Sequence, residues 1–177
     1  MVRAILDGRK TQTRRIKFDC EVDDVLWVRE TWKMGFTIEG DKKDGFNCEI
    51  EFKDGISDMV HFKKERAKKF EKFLLKPNKW ISSMYMPREA CRLFLKVEDV
   101  WEQKLQDISP GCICCEGVED IFEEIYKKER RFLANEVHKR LLIDEFIKLW
   151  DSINARRGYG WDTNPMVKVI EFKLVKV

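Results

Sequence analysis

The sequence predicts an α+β fold in which helices decorate a small, mostly antiparallel β-barrel. Residues 25–32, 92–101 and 166–175 are rich in β-branched and aromatic side chains, which is typical of strands. Asp54-Gly55 separates two further strand-like segments and indicates a hairpin. Because these strands do not alternate with helices as in βαβ units, we expect mostly antiparallel neighbours.

The chain of 177 residues is predicted to form a single domain over 1–177. Residues 33–80 carry frequent glycines and charges, which predicts an elaboration of that domain. A helical segment is expected at 109–153, where Ser109 can cap a helix whose first residue is Pro110. Its last helix has one apolar stripe, formed by Leu142, Phe146, Leu149, Trp150 and Ile153.

Composition restricts the function classes. Charged residues make up 38% and hydrophobic residues 44%, as in ordinary globular proteins. No apolar run is long enough for a membrane span and no apolar signal region is present, so we expect a cytoplasmic protein with no membrane partner. The net charge is only +3, and nucleic-acid binding would therefore depend on local patches.

The six cysteines include the cluster Cys112-Ile113-Cys114-Cys115. The cluster lacks a second C-x-x-C pair, and neither His61 nor His138 stands at ligand spacing from it. We therefore expect reduced thiols, no metal site and no cofactor.

The stretch from Gly8 to Arg15 is the densest set of polar groups near the start. Gly8 follows a short helical pattern and occupies the position of a helix-ending glycine. The residues from Arg9 to Arg15 are nearly all cationic or hydroxyl-bearing, and such a set can donate hydrogen bonds to an anionic or polar ligand. A solvated edge strand that carries charges against aggregation is the alternative.

Polar groups also follow the apolar run 25–28, which we expect to be buried. Arg29 and Glu30 stand at its far end, where a pocket could begin. An ion pair between Arg29 and Glu30 that caps the strand explains the same pattern.

Two further segments have compositions that suit nucleic acid. Residues 63–79 carry eight basic side chains and predict a basic amphipathic helix, which either is a solvated face or contacts RNA or DNA phosphates. The loop Arg156-Arg157-Gly158-Tyr159-Gly160-Trp161 could stack on a base. A structured loop plugged by Trp161 is the alternative.

The segment Gly8-Arg9-Lys10-Thr11-Gln12-Thr13-Arg14-Arg15 resembles the G-x-K-x-x-T-x-R signature of the ASCH domain, a branch of the PUA-like superfamily. Further blocks follow in family order and are similar to a larger ASCH-like subgroup often met in phages and prophages. They are Leu26–Trp32, Met86-Pro87-Arg88, Leu105–Ser109, Glu116-Gly117-Val118, Leu149–Asn154, Gly158–Asp162, Asn164-Pro165 and Val169–Phe172.

The resemblance implies a PUA-like β-barrel with a cleft that binds RNA or a modified nucleotide or nucleoside. In a small bacterial branch, the signature lysine and threonine and a downstream glutamate act as an amidohydrolase on N4-acetylcytidine. These catalytic positions fall on Lys10, Thr13 and Glu116. We expect ligand contacts from Arg9, Arg14, Arg15, Arg29, Glu30, Arg88, Arg156, Tyr159 and Trp161.

The chain departs from the family in three ways. Family members usually have a strand before the first helix, whereas this sequence begins inside that helix. Residues 33–80 are absent from the small enzymes. Cysteines at 112, 114 and 115 replace residues that are polar or small in the family.

Two functions remain open, RNA or nucleotide binding and amide hydrolysis; docking of a partner protein on a basic surface is a third. Hydrolysis would need Thr13 as nucleophile, Lys10 as base and Glu116 to orient substrate or serve the leaving group. Lys10 can act as base only if its pKa falls well below the usual ~10.4. Residues three apart on a strand face opposite ways, so Lys10 and Thr13 share a pocket only if Lys10 precedes the regular strand. We expect binding, because the basic run and the loop suit a polymeric ligand.

Overall fold

The structure is a computed structural model that describes residues 2–38, 45–63, 65, 79–118 and 135–175. Contacts between Cα atoms group the chain into two compact units. Unit 1 comprises Met1–Leu26 with Leu95–Lys176, and unit 2 comprises Trp27–Phe94 with Val177. The predicted elaboration at 33–80 falls inside unit 2, and the single domain stays a prediction.

The described residues form an α+β fold with mostly antiparallel strands. In chain order the elements are α1 (Val2–Leu6), β1 (Gln12–Arg15), β2 (Val25–Trp27), β3 (Trp32–Ile38), β4 (Gly45–Phe52), β5 (Ser57–Lys63), β6 (Phe94–Lys104), α2 (Pro110–Cys115), α3 (Asn135–Asn154) and β7 (Met166–Val175). Short 3-10 turns lie at Ser83–Tyr85, Arg88–Ala90, Leu105–Asp107, Ala155–Arg157 and Trp161–Thr163.

A four-stranded sheet has the order β1-β7-β6-β2. Strands β1 and β7 are antiparallel, with Gln12 opposite Glu171 and Arg15 opposite Lys168. Because side chains alternate along a strand, Gln12 and Arg14 share one face of β1, while Thr13 and Arg15 share the other. The first three residues of β1 are buried although β1 is an outer strand, so the alternative of a solvated edge strand is wrong for them.

Helix α2 begins as predicted. The Ser109 hydroxyl accepts a hydrogen bond from the Cys112 N–H at 3.2 Å, and Pro110 is the first helical residue. The main core of unit 1 joins α2 and α3 to β7, and its centre contains Ile113, Leu142, Phe146, Trp150, Val167 and Val169. Ile153 departs from the predicted stripe: it is exposed, one residue before α3 ends.

Unit 2 contains the three-stranded sheet β3-β4-β5. The hairpin predicted around Asp54-Gly55 is confirmed as the antiparallel pair β4–β5. Gly55 has φ +82°, which favours glycine, and its N–H bonds to the Phe52 carbonyl at 3.0 Å. The core of unit 2 includes Trp32, Met34, Ile50, Phe52 and Phe62.

The predicted burial of residues 25–28 is wrong. Val25 is 44% exposed, and residues 26–28 are only partly buried. The physical reason is topological, since β2 is an outer strand of its sheet and, among the strands that the structure describes, pairs with β6 alone. Burial begins later, at Glu30 and Trp32.

Some predicted features lie outside the described residues. These are most of the basic run at 63–79 and the part of the helical segment between Val118 and Asn135. Within the described part, no helix combines the length and apolar composition that crossing a membrane requires.

Candidate functional site

Lys10 lies in the turn that connects α1 to β1. Gly8 has φ +72°, and the N–H groups of Arg9 and Lys10 both bond to the Ala4 carbonyl, at 2.9 and 2.8 Å. Lys10 therefore precedes the regular strand, which is the condition set above for Lys10 and Thr13 to share a pocket in amide hydrolysis. Its Nζ donates to the Gln12 carbonyl at 2.9 Å and, in Glu116, to the carbonyl at 2.9 Å and Oε2 at 2.7 Å. All three N–H bonds of the ammonium are thus used.

Glu116 caps the C-terminal end of α2 and joins two cations. Its Oε2 accepts from Lys10 and its Oε1 accepts from Arg14 Nη1 at 3.0 Å. Glu116 is 5% exposed and Lys10 is 7% exposed, so the contact is shielded from solvent. We call these three residues the Lys10–Arg14–Glu116 cluster.

Gly117 allows this contact to form. Its φ is +79°, in the region that favours glycine. A Cβ at position 117 would lie 3.0 Å from the Cβ of Ala4 and 3.1 Å from the Cβ of Lys10. The end of α2 can therefore approach the Lys10 turn closely only because residue 117 has no side chain.

Arg14 is the most buried member of the cluster, at 2% exposure. Its Nη1 is bonded to Glu116, whereas its Nε and Nη2 are buried and have no hydrogen-bond partner among the described residues. The Oε1 of Gln12, on the same face of β1, is also buried and finds no partner in that part of the chain. A buried polar group left unsatisfied costs about 1–3 kcal/mol, and more when it is charged. The cluster is incomplete as a hydrogen-bonding unit.

Electrostatics make Lys10 unusual. Burial lowers the pKa of Lys10 below its ordinary value; the carboxylate of Glu116 opposes that shift, and the charges of Arg15 and Arg14 add to it. The direction is the one that the hydrolase hypothesis needs. The three members together carry two positive charges and one negative charge.

Thr13 and Arg15 lie on the other face of β1. Arg15 Nη1 donates to Thr13 Oγ1 at 2.7 Å and to the Arg14 carbonyl at 2.8 Å. The structure thus brings Lys10, Arg14 and Glu116 together, and it pairs Thr13 with Arg15.

The loop at 156–161 has the structured arrangement that was the alternative to base stacking, with Trp161 packed against the protein. Trp161 packs edge-on against Phe146 with ring centroids 6.2 Å apart, and the backbone N–H of Trp161 donates to Asp151 Oδ1 at 2.7 Å. The Tyr159 carbonyl accepts from Trp150 Nε1 at 2.8 Å. Of the loop's predicted contacts, Arg156 is the exposed one.

Three further predicted ligand residues are Arg9, Arg29 and Arg88. Arg9 pairs with Asp7 at 2.8 Å in unit 1. In unit 2, the Arg29 guanidinium lies 4.7 Å from the centroid of the Trp27 ring, and Arg88 is exposed in a 3-10 turn.

Glu30 belongs to a second charged group, which the sequence interpretation missed. Arg92 binds it through Nε at 2.9 Å and Nη2 at 2.7 Å, and Nη2 also contacts Asp54 at 2.6 Å. The Arg92 guanidinium lies 4.0 Å from the Phe52 ring centroid. The partner of Glu30 is therefore Arg92 and not Arg29. The available signal was a lone arginine just before an apolar strand.

The cysteines show no sign of metal ligation in the part of the chain that the structure describes. All six are thiols, and no group of three or more metal-ligating side chains is assembled among the described residues. Burial raises the pKa of Cys48 to about 11, so that this thiol is unreactive at neutral pH.

No protein-family model, curated protein or solved structure matches this chain.

Proposed function

We propose that this protein is an ASCH-like domain with a PUA-like barrel that binds RNA or a nucleotide, and that the Lys10–Arg14–Glu116 cluster is the centre of its binding site. The motif of residues 8–15 supports the family assignment. The cluster supports binding, because it joins two of the predicted site residues to an arginine whose hydrogen bonds are incomplete.

One observation supports this proposal most strongly: Arg14 is almost fully buried, yet within the part of the chain that the structure describes its Nε and Nη2 have no acceptor. These atoms hold three N–H donors in a fixed planar arrangement, which suits a ligand with neighbouring acceptor atoms. Bases offer ring nitrogens and carbonyl oxygens, and nucleotides add phosphate oxygens. A bound nucleotide would complete the hydrogen bonds that the protein leaves unmade.

The charge of the cluster agrees with such a ligand, whereas access to the cluster requires side chains to move. Two cations face one carboxylate, so the cluster attracts an anionic or electron-rich group, and a low-dielectric interior strengthens the attraction. The cluster is nearly closed to solvent. A ligand therefore reaches Arg14 only when the side chains around it move apart.

Amide hydrolysis is the second candidate, and the lowered pKa of Lys10 beside Glu116 favours it. Two contacts rank it below binding. The Lys10 ammonium already donates to three acceptors, and the Thr13 hydroxyl accepts a hydrogen bond from Arg15. Attack by Thr13 would require both arrangements to change.

Titration of nucleoside monophosphates and of single-stranded RNA octamers, followed by calorimetry, tests the proposal. Arg14→Met should weaken binding roughly 5- to 150-fold, the equivalent of losing a charged hydrogen bond of about 1–3 kcal/mol. Arg3→Met is the matched control, because Arg3 is an exposed arginine of the same unit. RNA binding by Arg14→Met that equals the wild type would refute the proposal.

Incubation with N4-acetylcytidine separates the two candidates. We expect slow or no release of acetate. Robust turnover that is abolished by Lys10→Met, Thr13→Val and Glu116→Gln, in a protein without RNA affinity, would instead establish the amidohydrolase.

A further inference from the structure

Helix α2 carries the accessible thiols of the chain, and the proposed function gives them no role. Three of the six thiols are partly exposed, and all three lie on α2: Cys112, Cys114 and Cys115. The other three are buried: Cys20, Cys48 and Cys91. An oxidant must reach a sulfur to react with it, and buried structural thiols are inert. Thiol chemistry is therefore expected on α2.

The spacing of the three cysteines selects one pair. Side chains three apart on a helix are neighbours, with Cβ atoms about 5–6 Å apart, whereas side chains one or two apart do not face each other. Cys112 and Cys115 are three apart, and Cys114 is two positions from the first and one from the second. The pair that can meet is Cys112 with Cys115.

The last turn of α2 is already partly tightened towards the geometry that a disulfide needs. A disulfide requires Cβ atoms about 3.5–4.5 Å apart, less than the usual helical distance. The Glu116 N–H is shared between the carbonyls of Cys112 and Ile113, at 3.1 Å each, and the bond to Ile113 is of the 3-10 type. Side chains three apart eclipse in a 3-10 turn, so further tightening brings Cys112 and Cys115 together.

The front of α2 is fixed, and the strain of such a closure falls on its end. The Cys112 N–H donates to the Ser109 hydroxyl at 3.2 Å, and the Ile113 N–H donates to the Ser109 carbonyl at 3.0 Å. Ile113 is also fully buried in the core of unit 1. Closure of the pair would therefore move Cys115 more than Cys112.

The Cys115 backbone is attached to the Lys10–Arg14–Glu116 cluster at two points. Its carbonyl accepts from the Thr11 N–H at 2.9 Å, and Thr11 directly follows Lys10. Its own peptide bond leads to Glu116, which lies 2.7 Å from Lys10 Nζ and 3.0 Å from Arg14 Nη1. A shift of Cys115 therefore disturbs both the Lys10 turn and the carboxylate that joins the two cations.

We propose that Cys112 and Cys115 form a reversible modification site: a small disulfide oxidises them to an intramolecular disulfide, and the new bond loosens the Lys10–Arg14–Glu116 cluster. The inference goes beyond the proposed function, because it concerns the state of the cluster and not the ligand that the cluster binds. The redox state of the two thiols thus controls how firmly Glu116 is held.

The reaction is a thiol–disulfide exchange, with glutathione disulfide as the probe. One cysteine thiolate attacks a sulfur of the probe, forms a mixed disulfide and expels a glutathione thiolate. The thiolate of the other cysteine then attacks the protein sulfur of the mixed disulfide and expels the second glutathione thiolate. The two cysteines lose two electrons and two protons, and the probe is reduced to two thiols.

A redox titration of the whole protein in mixtures of reduced and oxidised glutathione tests the pairing. After acid quenching, free thiols are alkylated with N-ethylmaleimide and located by peptide mass mapping. In wild type, Cys112 and Cys115 should lose alkylation together and recover it in dithiothreitol. A tenfold increase of both glutathione forms at a fixed ratio should lower the oxidised-to-reduced ratio about tenfold, because disulfide formation releases two thiols for each probe consumed. A mixed disulfide with glutathione would not respond.

Cys114→Ser is the matched control, because it removes a thiol of the same helix that does not belong to the pair. It should form the disulfide as wild type does, whereas Cys112→Ser and Cys115→Ser should not. Wild type that keeps all three thiols alkylatable, or that pairs Cys114 with a neighbour, would overturn the proposal. This comparison needs no variant to be as stable as wild type, since the wild-type titration alone can refute it.

Hydrogen exchange followed by NMR tests the link to the cluster. The Thr11 amide is protected by its bond to the Cys115 carbonyl, and its exchange should be several-fold faster in oxidised wild type. The Asp23 amide is the internal control, because it bonds to the Val97 carbonyl in the same unit and should be unaffected. Cys112→Ser under the same oxidant should show no change at Thr11. Unchanged Thr11 exchange in wild type that carries the disulfide would overturn the link. Neither measurement involves a nucleotide, so a negative result leaves the proposed function as it stands.

Discussion

Two arginines, Arg14 in unit 1 and Arg92 in unit 2, each meet a buried carboxylate, and they use their guanidinium groups in opposite ways. Arg92 binds Glu30 through two nitrogens, contacts Asp54 as well and stacks over Phe52. Arg14 binds Glu116 through one nitrogen, and its other two nitrogens have no partner in residues 2–38, 45–63, 65, 79–118 and 135–175. Yet the Arg14 side chain is 1% exposed, against 12% for Arg92.

The two arginine groups differ in whether their buried polar atoms have hydrogen-bond partners. A buried charge is tolerated when its buried polar atoms have hydrogen-bond partners, and the Arg92 group meets that condition, because none of its buried nitrogens or oxygens lacks a partner among the described residues. The Arg14 group does not, so its burial costs free energy that a ligand could recover. Completeness of hydrogen bonding, more than burial or charge, marks the group that is suited to binding.

Removing the shared carboxylate should have the largest effect on stability. Glu116→Gln leaves Lys10 and Arg14 buried without a negative partner, and the free energy of unfolding should fall by about 3–5 kcal/mol. Urea unfolding followed by circular dichroism measures this. Glu145→Gln is the control, because the Glu145–Lys148 pair lies on the surface and should matter little. Equal, small changes in both variants would show that the cluster is not electrostatically coupled.

Removing Arg92, the cation bound to Glu30, should have the next largest effect on stability. Arg92→Met leaves Glu30 buried without a cation, and we expect a loss of about 2–3 kcal/mol, less than for a fully buried pair because Arg92 is partly exposed. Lys96→Met is the control, since Lys96 lies on β6, which follows Arg92 in the chain, and pairs with Asp23 at the surface. No loss of stability would mean that the Glu30 carboxylate is satisfied without Arg92.

Of these three substitutions, removing Arg14 should lower the free energy of unfolding the least. In Arg14→Met, Glu116 keeps its contact with Lys10, and two unpartnered nitrogens leave the interior. We expect the free energy of unfolding to change by less than about 1 kcal/mol, while nucleotide affinity falls. The same urea series compares it with Arg92→Met. A loss as large as that of Glu116→Gln would contradict the contrast between the two arginines.

The pH dependence should show a smaller effect, through Lys10. Its pKa in the folded protein lies below the ordinary 10.5, so between these two values the unfolded chain binds more protons than the folded one. The free energy of unfolding contributed by Lys10 therefore rises with pH in that window, and below it the full cost of burying the ammonium remains. The free energy of unfolding of the wild type should therefore rise relative to that of Lys10→Met as the pH approaches 10.5. A constant difference would show that Lys10 has an ordinary pKa.

Features that depend on neighbouring residues could be predicted from the sequence. The Ser109 cap, the β4–β5 turn at Asp54-Gly55 and the strand at 166–175 all rest on local chemistry, and all are present in the structure. Whether a strand lies at the edge or in the middle of its sheet cannot be read from the neighbouring residues in the sequence. The apolar run at 25–28 looks like a buried strand, and only the strand order shows that β2 lies at the outside of the sheet formed by the described strands.

The candidate site was less accessible to local reasoning. Lys10 and Glu116 are 106 positions apart, and only the family resemblance suggested that they meet. Arg92 and Glu30 are 62 positions apart, and no motif linked them. Alternation along β1 separates Thr13 from Arg14, but which face Glu116 approaches depends on how α2 packs. Ion pairs of this kind are products of the tertiary fold.

Gly117 sets how closely the end of α2 can approach the Lys10 turn. A Cβ at this position would lie 3.0 Å from the Cβ of Ala4 and 3.1 Å from the Cβ of Lys10, which is closer than carbon atoms normally pack. Any larger residue at position 117 would therefore force α2 away from the turn and lengthen the contacts between Glu116 and Lys10. An uncharged position thus controls the length of a buried ion pair, and a substitution that removes no charge can still weaken the cluster.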